Sequence, residues 1–266
     1  SAGMLSPLSE KESGGNLVYD LGNKSIKLWS QIDAALIELI GHGIGLKTSG
    51  NLFICSPDEV AYTKRLFNKL EYLEQPIDKK KIKSLEPNLS CNFKTWLVKG
   101  EGHLNPLIAM DLLYKATLIG ENKEKIKWKF NTPISEFGPG WVKTKKKKLF
   151  FDWVLDFRGV KAKELRIRGV RGENFTLNTP HGFKLFHPIR FVHPRLRVYI
   201  VPINNDRIIV GSTEIESEDL SPVTLQSTLD LLGVAKYIFP ELAEARIISS
   251  DVNLRPASVD NLPVIK

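Results

Sequence analysis

The sequence predicts an α+β fold, and three features point to it. Over residues 17–40 apolar side chains recur at helical spacing, at Leu17, Leu21, Ile26, Leu28, Trp29, Ile32, Leu36 and Leu39. From Gly169 onward, short runs rich in β-branched and aromatic residues alternate with turn residues, the pattern of successive strands. In between, helices with Pro or Asn at their starts alternate with short apolar strands, and no repeat, low-complexity tract or coiled-coil heptad intervenes.

Each element follows from local chemistry. The long helix over 17–40 is expected to break near Gly22-Asn23 and to end at Gly41, Gly43 and Gly45. Leu52-Phe53-Ile54-Cys55 reads as a short buried strand. Ser56-Pro57-Asp58-Glu59 predicts a capped helix start, with Pro57 in the first turn and Glu59 closing a capping box, and the helix reaching about Leu73. A shorter helix follows over 79–85, and Trp96-Leu97-Val98 reads as a strand. Asn105-Pro106 predicts a second capped helix to about Leu118. Strands are expected over 126–130, 134–137, 141–143 and 149–155, then over 170–177, 189–192, 197–202 and 207–211, with Asn204-Asn205-Asp206 turning between the last two. Ser221-Pro222 predicts a cap for a helix through Ile238, and residues 243–252 return as a strand that leads to Arg255.

Composition narrows the function classes. With 266 residues, 42% hydrophobic and 26% charged, the chain is an ordinary globular one, large enough for one large or two average domains. Apolar runs such as 34–40 fall far short of the roughly 20 residues of a membrane span. The first residues lack the basic start and apolar run of a secretory leader. Those short runs predict no membrane partner, while Cys55 and Cys91 lie far apart and match no metal spacing, which points to a reduced, cytoplasmic compartment. The net charge of +8 raises a nucleic-acid reading. Its densest run, Lys143-Thr144-Lys145-Lys146-Lys147-Lys148, lies between strand-like segments and lacks interleaved aromatics, so a solvated hairpin tip is favoured over a nucleic-acid patch.

No metal cluster is predicted: His42, His103, His181, His187 and His193 share no ligand spacing. A nucleophile elbow, a phosphate loop and a Gly-x-Gly-x-x-Gly are all absent; Gly41-His42-Gly43-Ile44-Gly45 follows a helix and reads as a loop. What stands out is Leu254-Arg255-Pro256-Ala257-Ser258-Val259-Asp260-Asn261-Leu262-Pro263. Two prolines keep this segment from being helical, and a guanidinium fork on a rigid stretch suits a planar carboxylate. The competing reading is Arg255 paired with Asp260 across a turn.

Five stretches in register resemble the flavin-dependent amino-acid oxidases, in particular the glycine oxidase branch of thiamine biosynthesis. They are Ser1-Ala2-Gly3-Met4-Leu5-Ser6-Pro7; Glu101-Gly102-His103-Leu104-Asn105-Pro106; Gly169-Val170-Arg171-Gly172-Glu173; Tyr199-Ile200-Val201-Pro202 with Val210-Gly211-Ser212-Thr213-Glu214; and the segment from Leu254 to Pro263. The resemblance spans essentially the whole chain. It implies a mixed, largely antiparallel substrate-binding sheet (48–98 and 169–245) interleaved with part of an FAD-binding domain (1–47, 99–168 and 246–266). Members of that family begin with a Gly-x-Gly-x-x-Gly unit, so the chain resembles an internal or truncated piece of one.

The implied activity is oxidation of a small amino acid or amine to a 2-oxo acid and ammonia. FAD takes the hydride and dioxygen reoxidises it with release of hydrogen peroxide. The flavin carries the chemistry, so no catalytic side chain is expected, and the protein's task is to orient substrate. By the same resemblance Arg255 would bind the substrate carboxylate and Tyr199 would reach it with its hydroxyl, unless Tyr199 is simply a sheet residue. Glu214 falls where the branch can carry an apolar pocket residue, and a carboxylate there would favour a charged amine or polar substrate or point outward. Ala2, Gly3 and Met4 match the loop along the flavin ring, and Ile134 and Gly159 match positions on the adenine and ribose side. A homo-oligomer is compatible with the family, and the alternative function is a non-catalytic relative unable to hold FAD.

Overall fold

The computed structural model describes residues 2–162 and 166–264. In chain order its elements are β1 (Met4–Leu5), α1 (Pro7–Ile40), β2 (Asn51–Cys55), α2 (Val60–Lys69), α3 (Lys79–Leu85), β3 (Lys94–Val98), β4 (Gly102–His103), α4 (Pro106–Ala116) and α5 (Asn122–Lys125). They continue with β5 (Ile134–Gly138), β6 (Trp141–Thr144), β7 (Lys148–Phe150), β8 (Arg168–Asn178), β9 (Ile189–Phe191), β10 (Val198–Pro202), β11 (Arg207–Gly211), α6 (Leu225–Ile238) and β12 (Arg246–Ala257).

A seven-stranded sheet in the order β12-β8-β11-β10-β9-β2-β3 organises the molecule, antiparallel throughout except where β2 runs parallel to β9. Alternation along the strands gives the sheet two different faces. One carries Leu52, Ile54, Phe175, Leu177, Ile189, Phe191, Val198, Ile200 and Val210, and it packs on Leu231, Val234, Ala235 and Ile238 of α6. Each such apolar side chain taken from water contributes about 1.5–3 kcal/mol. The other face is closed only at its β2–β3 end, where Phe53, Trp96 and Val98 meet Phe67 and Leu70 from α2 and its C-terminal turn. Further along the same face the directly paired residues Phe53, Arg190, Tyr199, Gly211 and Asn174 form a row across five strands. That row floors the open part of the sheet.

α1 packs on α4 around Leu36, Ile44, Leu104, Ala109 and Leu112. Its start differs from expectation. The helix begins at Pro7, and its break is at Gly15 (φ 63, ψ −161), not Gly22. Gly22 serves another purpose: a Cβ there would lie 2.9 Å from the Pro7 ring. Ser56 makes no side-chain cap; residues 57–59 form a tight turn before α2, which ends at Lys69 rather than near Leu73. The cap of α6 is Thr224 rather than Ser221, its hydroxyl accepting from the Ser227 amide. By contrast α3 and the Asn105-capped α4 lie where the sequence places them. Segment 126–130 is not a strand, because Trp128 and Phe130 stack on each other and against Tyr114 at the end of α4 instead of joining a ladder. β7 stops at Phe150, short of Leu155. The lysine run is the β6–β7 tip, with Lys148 lying 3.7 Å over the Trp141 ring.

β12 is hydrogen-bonded along β8 from Arg246↔Asn178 to Ala257↔Arg168. The segment expected on the cofactor side is thus continuous with the sheet of the expected substrate side.

Candidate active site

A cavity of about 500 Å³ opens above the row of paired residues. Its floor and far wall include Gly172, Asn174, Arg190, Tyr199, Ser212, Glu214 and Arg255; Ala2, Met4 and the first turns of α1 form the near wall. Ala2, Met4, Tyr199, Glu214 and Arg255, all singled out from the sequence, therefore share one space.

Arg255 is held from behind. One terminal nitrogen donates to the Thr213 carbonyl oxygen at 2.9 Å and the other to the Ser212 hydroxyl. Both acceptors are neutral. Asp260, the expected turn partner, instead accepts from the Leu262 amide and the Ser258 hydroxyl. Among the described residues no carboxylate pairs with Arg255, so its charge and remaining N–H donors are left for a ligand. The guanidinium lies flat over Gly172, where a Cβ would come within 2.4 Å of its nitrogen. Tyr199 likewise lies over Gly211, with its hydroxyl 2.9 Å from where a Cβ would stand. Two glycines on adjacent strands thus make room for the two polar groups.

Glu214 lines the cavity with its side chain about half exposed, and Arg197 faces it at 3.5 Å while also lying 3.7 Å from Glu12. The Glu214 charge is therefore answered by the protein. Gly3 sits in the wall at φ +76, and a Cβ on it would run into the Leu104 carbonyl oxygen at 2.1 Å, so the loop can be this tight only with glycine there. Gly159, also at positive φ, lies behind the wall beside Pro256. Ile134 is exposed on β5 in the three-stranded sheet, outside the cavity.

The wall is anchored by Glu101. Its carboxyl accepts from the Leu8 amide (2.7 Å), the Ser6 hydroxyl (2.8 Å) and the Asn51 amide (3.0 Å), which caps the N-terminus of α1 from a distant part of the chain. Burial pushes Glu101 up to about 7, against the pull of those hydrogen bonds. His103, two residues on in β4 and also buried, is pushed down to about 4 by that burial.

Behind the floor, on the α6 face, Arg171 and Glu173 form a fully buried pair at 2.7 Å. Arg171 also donates to the carbonyls of Asp219 and Pro222. Burial alone would raise Glu173, but hydrogen bonds from Ser227, Arg171, Thr213 and the Thr224 amide bring it below the usual carboxylate range. This pair locks β8 to the loop before α6. It does not reach the cavity.

Comparison with known proteins gives the family. The family model described as FAD dependent oxidoreductase, DAO, matches residues 1–266. The chain belongs to the DAO family of FAD-dependent oxidoreductases. A relative from Rhizobium etli, named a thiamine biosynthesis oxidoreductase ThiO, is 31% identical over 266 residues, covering 99% of this chain and 73% of its own. Among solved structures, glycine oxidase from Geobacillus kaustophilus superposes with a TM-score of 0.76 at 23% identity, over 99% of this chain and 73% of that one. Iminodiacetate oxidase from Chelativorans sp. gives 0.76 at 16% identity, over 97% and 73%. At those identities the superpositions establish the α+β fold alone.

The loop expected at the ring end of FAD has the small residues and the open border that a close-lying ring needs. The Ala2-Gly3-Met4 loop is small and partly buried, its tightness depends on Gly3, and it borders the cavity beside Arg255 and Pro256. For the phosphates, the N-termini of α1, α4 and α6 are already capped by Glu101, Asn105 and Thr224.

The sequence reading missed Gly172, Gly211, Ser212 and Arg190. The first three lay in quoted motifs without a role. Arg190 had a signal of its own: a lone charge between Ile189 and Phe191 in a strand must face the opposite side from the core.

Proposed function

We propose that this DAO-family protein oxidises a small amino acid or amine in this cavity, glycine-oxidase-like, to a 2-oxo acid, ammonia and hydrogen peroxide. The observation that carries the reading is Arg255, a guanidinium braced by neutral oxygens, with no carboxylate partner among the described residues, beside the Tyr199 hydroxyl. Arg255 takes the substrate carboxylate through its free N–H donors, and the Tyr199 hydroxyl donates to the same group. Ser212 and Thr213 fix the guanidinium plane, so the carboxylate orientation is set before substrate arrives. Glu214, held by Arg197, faces the amine side and favours polar substrates. Ala2, Gly3 and Met4 hold the cofactor's ring end, with Gly159 and Ile134 towards its nucleotide end. Bound FAD supplies hydride acceptance and, through dioxygen, its own reoxidation.

On this reading residues 48–98 and 169–245 are the substrate part and 1–47, 99–168 and 246–266 the cofactor part. A role in thiamine biosynthesis, a cytoplasmic location and a homo-oligomer are part of the same proposal; no described helix is long and apolar enough to cross a membrane. The test is peroxide release from glycine, sarcosine and D-alanine by protein loaded with FAD. Release that is abolished by Arg255→Met supports the reading; no release from flavin-loaded protein with any of the three sinks it.

A further inference from the structure

The cavity contains a second guanidinium that the amino-acid clamp does not use. Arg190 lies in the same paired row as Tyr199, one strand away, with its guanidinium 5.9 Å from the centre of the Phe53 ring. It is partly buried and lines the cavity. Among the described residues its side chain makes no hydrogen bond or ion pair; Glu10, Glu12 and Glu101 act on it only from a distance. Arg197, the third arginine of the cavity, is different, because Glu12 and Glu214 answer it. A desolvated guanidinium with no carboxylate beside it is costly to maintain, and an anionic ligand is what offsets that cost.

We infer that Arg190 binds a second carboxylate, so that the preferred substrates are amino acids or amines bearing two carboxylates, one on Arg255 and one on Arg190. The inference rests on the proposed role of Arg255. The spacing supports it. Arg255 lies over Gly172 on β8, three strands from β9 where Arg190 originates. The strands are three spacings, about 14 Å, apart, and both long stems reach into the one cavity, so a short dicarboxylate such as glutarate, or the same backbone with nitrogen at its centre, can be met at both ends. Charge balance agrees: Arg190, Arg197 and Arg255 face only Glu10 and Glu214 among the lining carboxylates.

Titration calorimetry of the full chain with glutarate and with valerate, its monocarboxylate counterpart, tests this without requiring turnover. Glutarate is expected to bind at least tenfold more tightly than valerate. Arg190→Met should collapse that ratio towards one, and Arg190→Lys, which keeps the stem and charge, should retain part of it. A wild-type ratio near one, or a ratio that Arg190→Met does not change, overturns the inference. The clamp itself is tested separately: Arg255→Met must weaken valerate, and if it does not, the proposed function fails whatever Arg190 does.

Discussion

At the scale of single residues, the site depends on what stands behind the polar groups as much as on the groups themselves. A charge-assisted hydrogen bond contributes about 1.5–3 kcal/mol, so Arg255→Met should raise KM for an amino acid roughly 10- to 100-fold with little change in flavin content. Steady-state kinetics with glycine checks this, and an unchanged KM would remove Arg255 from the site. Gly172→Ala should act on the same parameter without touching ligand, since its methyl would occupy the guanidinium's place. A displacement of about 1 Å there is enough for roughly a 100-fold loss. Glu101 makes a pH prediction. Its carboxyl titrates near 7 in the folded chain and near 4.5 unfolded, so between those values the native state keeps a proton that the unfolded state releases. Its contribution to stability therefore falls as pH rises through that window, by about 3 kcal/mol in total, and levels off above it. The difference in urea-unfolding free energy between wild type and Glu101→Gln should shrink by that order from pH 4.5 to 8; a constant difference would be inconsistent with a buried, protonating Glu101. His103 works in the opposite sense: with its folded value near 4, stability is lost as pH falls from about 6.5.

At the scale of elements, α1 shows where local sequence is a good guide and where it is not. Its apolar spacing from Leu17 was legible, but the turns from Pro7 to Gly14 carry little periodicity and are held by Glu101, ninety-three residues away from Leu8. Long-range capping leaves no trace in a local window. The break fell at Gly15 because its φ and ψ belong to a region essentially reserved for glycine. Gly15→Ala should cost about 1–3 kcal/mol even though a Cβ there meets no atom within 4 Å, and chemical denaturation would show it. An unchanged midpoint would mean the break is not fixed by that residue. The buried pair on β8 makes the converse case. Arg171→Met leaves Glu173 charged and enclosed, which should destabilise by about 3–5 kcal/mol. Arg171 and Glu173 were visible as part of a motif, but that they face α6 while Gly172 faces the cavity is a fact of strand alternation that only register decides.

At the scale of the whole molecule, the two faces of the sheet divide the labour between stability and ligand. The α6 face could be read from Val, Ile, Leu and Phe alternation. The cavity face could not, because its residues are polar, aromatic or glycine and come from six separated segments that only the strand order brings together. Arg255 and Tyr199 were found through resemblance; Arg190 needed the parallel pairing of β9 with β2 to place it. Large apolar side chains on the β5–β7 side, including Trp153 and Phe157 at more than four-fifths exposure, form a surface of a kind that favours association. Sedimentation should show concentration-dependent self-association that Trp153→Lys with Phe157→Lys reduces; a monomer at all concentrations would assign no such role to that surface.

The irregularity in β12 has a consequence for insertions and deletions. Ile247 opposes Leu177, but Ser249 opposes Thr176, so Ile248 is an extra residue in the ladder. Ahead of it, odd-numbered residues look towards α6; beyond it, odd-numbered residues, Arg255 included, look into the cavity. Ile248 sets the parity of the strand. Losing it would leave a flush ladder with Arg255 still opposite Val170, whereas losing Asn253 would turn the guanidinium to the wrong side of the sheet. A length change of one residue can thus be silent or decisive for the clamp, depending on whether it is absorbed at the bulge or in the regular ladder between the bulge and Arg255.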